Sequence, residues 1–76
     1  MEKTITSKRY KKLIQHLAQT RKERGLSLRE LASRLDVPHS WVQRIETLER
    51  RLDVYEYIEY CQAIGLDARS TLDYLD

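Results

Sequence analysis

The chain has 76 residues, and its 14 Lys and Arg against 12 Asp and Glu leave a net charge of +2. One domain of this size buries only about 60% of its unfolded surface, which excludes a large core and makes small losses of packing costly. Two Gly, one Pro and no Phe leave little material for hairpins and favour an all-α fold, a lone Cys61 excludes an internal disulfide, and no apolar run reaches the length of a signal or membrane helix.

Met1 to Thr6 show no periodicity and are expected to form a flexible N-terminal arm, with residues 7–76 making a single domain. Ser7 is a candidate N-cap for a first helix reaching about Arg24, with Tyr10, Leu13, Ile14, Leu17 and Ala18 on one stripe. Gly25 suits its left-handed stop. Lys8, Arg9, Lys11 and Lys12 crowd the positive end of this helix, where nearby phosphates would relieve their repulsion. A second helix is predicted over about 28–35, because Leu28, Leu31, Ala32 and Leu35 recur at i, i+3, i+4 and i+7. Ser27 and Glu30 form a capping box before it, and Leu26 can staple onto Leu31.

Asp36-Val37-Pro38 then breaks the chain, since Pro38 disfavours helix at Val37 while its own φ suits a new start. A third helix follows over about 39–47. Val42 and Ile45 face inward, leaving His39, Ser40, Gln43, Arg44 and Thr47 pointing elsewhere. Two short amphipathic helices joined by so tight a break have the layout of a helix-turn-helix that docks in DNA. Asp53 and Glu56 mark the start of a fourth helix over 54–64, with Val54, Tyr57, Ile58, Cys61 and Ile64 as its apolar stripe and Gly65 as its end. A fifth short helix, capped by Asp67, would carry Ala68, Leu72 and Leu75 inward.

The small net charge conceals a polarity along the chain. Residues 1 to 51 hold 13 of the Lys and Arg against 6 Asp and Glu, a net of +7, while residues 52 to 76 carry −5. A basic half that contains the helix pair favours a polyanion partner on that side.

Gly25-Leu26-Ser27, Leu31-Ala32, Leu35, Val37, Ser40, Val42, Arg44-Ile45-Glu46, Arg50-Arg51 and the run Cys61 to Asp67 resemble the lambda-repressor and Cro-like helix-turn-helix family, the xenobiotic-response-element regulators of bacteria and phages. The resemblance spans about residues 10 to 67. It implies a compact five-helix bundle and dimers on pseudo-palindromic operators. Two positions depart from the family pattern. Leu28 replaces a common Gln that contacts phosphate, and is expected to extend the core instead. Thr47-Leu48 replaces a common helix-ending Gly, so the third helix is expected to run longer, supported by Ile45, Leu48 and Leu52 at i, i+3 and i+7.

In the docking mode this implies, His39, Ser40, Gln43 and Arg44 are the base readers, with the Arg44 fork suited to guanine and Gln43 to adenine. Arg9, Lys12, Arg24, Arg29, Thr47, Arg50 and Arg51 are the phosphate candidates. Glu46 stands where the family places an internally paired acid, with Arg50 as a nearby partner. Trp41 is read as packing at the rim of the third and fourth helices, with stacking on a base as the alternative. Cys61 is read as a small core hydrophobe. Tyr60, Leu72, Tyr74 and Leu75 are candidates for a symmetric dimer interface, although the same residues could cap the core.

The function these readings imply is a sequence-specific regulator of transcription that occupies two half-sites about 34 Å apart and blocks or recruits polymerase. No metal, cofactor or small-molecule ligand is expected, and the compartment is the cytoplasm, at the nucleoid. A protein-binding adaptor or antitoxin-like module on the same fold is the second reading; it would not need the basic half. An enzyme is not expected, since the chain has no glycine-rich phosphate loop, no metal-ligand cluster and only two histidines, His16 and His39, on different helices.

Overall fold

The computed structural model describes residues 7–75, apart from the side chain of Tyr74. The expected arm at Met1 to Thr6 lies outside them. Five helices form α1 (Lys8–Glu23), α2 (Leu28–Leu35), α3 (His39–Glu46), α4 (Val54–Ala63) and α5 (Ala68–Thr71), and a 3₁₀ turn follows at Leu72–Leu75. No strand occurs among the described residues. α2 lies against α3 and α4, and the 3₁₀ turn lies against α1.

The starts of the helices follow from local chemistry. Ser27 Oγ accepts the Glu30 N–H at 3.0 Å while Glu30 accepts the Ser27 N–H at 3.2 Å, and Asp53 with Glu56 repeats this box before α4. Ser7 precedes α1 without a side-chain bond to it, and Pro38 takes the N-cap of α3. Four helices end in the same way, with a residue at positive φ that lets two amide groups turn back onto the last carbonyls. Gly25 and Gly65 fill this position after α1 and α4, Asp36 fills it after α2, and Leu48 fills it after α3 with φ 67°.

Leu48 corrects the expected extension of the third helix. α3 stops at Glu46, with Thr47 as cap, because Leu48 N–H turns back to the Ile45 carbonyl and Glu49 N–H to that of Arg44. A non-Gly residue in this conformation costs about 1–2 kcal/mol, and the half-buried Leu48 side chain, packed on the core, offsets it with apolar burial of the same order.

Tyr10, Leu13, Ile14 and Leu17 of α1, Leu31 and Ala32 of α2, Val42 and Ile45 of α3, and Tyr57, Tyr60, Cys61 and Ile64 of α4 form most of the core. The stripe expected on α4 is rotated in the structure. Val54 is 77% and Ile58 40% exposed, while Tyr60 is buried at 1%. The cause is polar: Tyr60 turns inward because its hydroxyl finds a carboxylate beneath α3.

Candidate nucleic-acid interface

Val42 and Ile45 are wholly buried, so α3 can present only its opposite side to solvent. His39, Ser40, Gln43 and Arg44 lie on that exposed side, and none of their side chains makes a hydrogen bond or ion pair among the described residues. The helix therefore offers an imidazole, a hydroxyl, an amide and a guanidinium side by side, with their donors and acceptors open to a groove floor.

What holds α3 from behind is ionic. Glu46 receives the Arg21 fork, Nε to Oε2 at 2.7 Å and Nη2 to Oε1 at 2.9 Å, and the Tyr60 hydroxyl donates to Oε2 at 2.7 Å. Arg21 Nη1 also donates to the Leu26 carbonyl at 2.7 Å. One carboxylate thus ties α3 to α1, to α4 and, through Arg21, to the turn before α2. The Arg21 side chain is 7% and the Glu46 side chain 11% exposed. Bonding to Glu46 raises the Arg21 pKa, and burial, with the bond to Glu46, pushes the Tyr60 phenol well above its ordinary value. Arg21 and Tyr60 therefore both stay protonated near neutral pH.

The partner of Glu46 is Arg21, in place of the expected Arg50. Arg50 instead forms a fork with Glu56, with both contacts at 2.9 Å, and lies over Trp41 at 5.0 Å from the ring centroid. Half-buried Trp41 packs against the core. The expected dimer residue Tyr60 is also corrected, because its buried ring and its bond to Glu46 leave nothing of it for a partner. Leu72 and Leu75 remain exposed.

Several expected phosphate residues have acceptors within the chain. Arg24 Nη1 donates to the Ile64 and Gly65 carbonyls at 2.9 and 3.0 Å, and Arg34, which the sequence reading passed over, donates to that of Ala63 at 2.8 Å. Together they satisfy the negative end of α4. Thr47 Oγ1 lies 3.0 Å from the Gln43 carbonyl and 2.6 Å from a Glu49 carboxylate oxygen. Arg9 makes one long contact, 3.4 Å, to the Leu75 carbonyl. Lys12, Arg29 and Arg51 are exposed, with no hydrogen bond from their side chains among the described residues. Half-buried Leu28 packs against the core, where the family pattern has Gln.

A family model described as a helix-turn-helix domain matches residues 13–75. A solved structure, an XRE-family like protein from Pseudomonas syringae pv. tomato, is 42% identical to the chain with a TM-score of 0.83, the match covering 88% of this chain and 82% of that one. The chain belongs to the XRE helix-turn-helix family. As an XRE-type chain it is, in general terms, a DNA-binding transcription regulator. None of the curated proteins compared matches it. No helix among the described residues is long and apolar enough to cross a membrane.

Proposed function

We propose that this XRE-type chain is a sequence-specific double-stranded DNA-binding regulator, made of one domain over residues 7–76, that reads the major groove with α3 and acts in the cytoplasm as a homodimer on a pseudo-palindromic operator. The observation that carries the reading is the polar side of α3, exposed and without hydrogen-bond partners among the described residues, over an anchor of buried Val42 and Ile45 and the paired Glu46. Arg44 reads guanine through two parallel hydrogen bonds, and His39, Ser40 and Gln43 read the neighbouring base edges. Lys12, Arg29 and Arg51 hold phosphates and set register.

Dimerisation is supported by where the exposed apolar side chains gather. Leu72, Leu75 and Val54 border a cleft of about 210 Å³ floored by Tyr10, Leu13 and Tyr57. Leu75→Asp is expected to give a monomer by sedimentation; an unchanged mass places the interface elsewhere.

The function itself is tested by titrating a random duplex across a salt series. A steep loss of affinity between about 50 and 200 mM salt supports phosphate docking. Absent or salt-independent binding would favour the protein-binding adaptor.

A further inference from the structure

The loop between α3 and α4 carries a cation that both helices hold. Arg50 forks onto Glu56 with Nη1 to Oε1 and Nη2 to Oε2 both at 2.9 Å, and Trp41 of α3 gives its guanidinium a flat platform 5.0 Å from the ring centroid. Glu56 is fixed in turn, because the same Oε1 accepts the Asp53 N–H at 3.0 Å in the capping box of α4. The pair is open to solvent, with the Arg50 side chain 39% and that of Glu56 20% exposed. A guanidinium thus sits at the edge of the recognition helix, reachable from outside, with its charge already cancelled. Arg51, the next residue, is exposed and has no carboxylate partner among the described residues.

We propose that Glu56 is an internal competitor for the DNA backbone, masking Arg50 beside α3 and so lowering affinity for duplex of any sequence while base reading is left intact. This rests on the DNA-binding reading above. A carboxylate and a phosphodiester offer a guanidinium the same pair of acceptor oxygens. A phosphate arriving at Arg50 therefore meets a ligand already in place, and a neutral pair releases little counterion on docking. Weaker non-specific binding with unchanged base contacts raises the specificity ratio.

The test compares the full chain with Glu56→Gln, which removes the charge and keeps a capping box because Gln serves at that position. Binding to a random-sequence duplex is followed by anisotropy across a salt series. Glu56→Gln is expected to bind roughly tenfold more tightly at 50 mM salt and to lose about 3.5-fold more affinity than wild type between 50 and 200 mM, the signature of one added phosphate contact. The double variant Arg50→Gln with Glu56→Gln is expected to bind as wild type does. Equal or weaker binding by Glu56→Gln, or a double variant that loses roughly tenfold, overturns the proposal, because Arg50 would then hold phosphate with Glu56 as its support. A wild-type chain without salt-dependent binding would remove the DNA reading and this one with it, whereas wild-type binding that Glu56→Gln leaves unchanged refutes the mask alone.

Discussion

Replacing Glu46 by Ala leaves the Arg21 guanidinium, with a side chain 7% exposed, facing no opposite charge, and strips the Tyr60 hydroxyl of its acceptor. Breaking a buried pair by removing one partner costs about 3–5 kcal/mol, and screening by solvent is small at this depth. A chain of this length has a total stability of about 4–11 kcal/mol, so the loss takes a large share of it. Each kcal/mol moves the midpoint by about 4–8 °C in a domain of this size, and the melt of Glu46→Ala is expected to fall by at least about 12 °C. Thermal circular dichroism measures this directly. The double variant Arg21→Met with Glu46→Leu supplies the control, since an apolar pair of similar volume is expected to restore the stability to within about 2 kcal/mol of wild type. Tyr60→Phe, which keeps the ion pair and deletes one bond to a charged acceptor, should cost about 1.5–3 kcal/mol. A loss below about 1 kcal/mol for Glu46→Ala, the range of a surface pair, would refute the view that this triad anchors α3.

Arg44→Ala is expected to relax the preference at one base position of each half-site, by about 1–3 kcal/mol of discrimination, and selection from a random DNA library reads it. At Leu48, with φ 67°, the Gly variant should be more stable than the Ala variant by about 1 kcal/mol, because both lose the same packing and only Ala keeps the strain; denaturant melts compare them. Glu56 has its pKa held below the ordinary 4.5 chiefly by the Arg50 hydrogen bonds. A depressed carboxylate stabilises the fold above its unfolded pKa and loses that contribution as pH falls through the folded one. The stability of wild type should therefore decline more steeply than that of Glu56→Gln below about pH 4.5 in pH-dependent melts.

Where a helix begins and which side it buries were legible wherever a local rule decided them. The two capping boxes, the Pro38 break and the stripe of α1 depend on residues within a few positions of each other. What escaped was polar and long-range. Arg21 lies seven residues after Ile14 and four after Leu17, on the buried stripe, and a charge at such a position signals a distant buried partner. That partner is 25 residues away, so its identity could not be read from spacing. Hydrophobicity alone put Ile58 inside α4; the hydroxyl of Tyr60, three residues after Tyr57 and four before Ile64, decided otherwise. At Leu48 the sequence offered a helix continuation that the turn-back of two amide groups outweighed.

The same distinction governs the basic half of the chain. Its 13 Lys and Arg overstate the side chains available to DNA, because the fold engages Arg21, Arg24, Arg34 and Arg50 with carboxylates or carbonyls of its own. Of the seven cations expected from the sequence to touch DNA, Arg9 and Arg24 make contacts with backbone carbonyls and Arg50 is paired, so Lys12, Arg29, Arg44 and Arg51 are the four without such bonds among the described residues. With Arg44 committed to guanine, the three phosphate contacts of Lys12, Arg29 and Arg51 predict an affinity loss of about 40-fold per protomer between 50 and 200 mM salt, against roughly 2,000-fold for all six expected phosphate cations. The slope of that line therefore tests where the charges point as well as whether DNA is bound. A slope as steep as six contacts give would mean that the engaged guanidinium groups turn outward on docking, with Arg50, whose side chain is 39% exposed, the easiest to release.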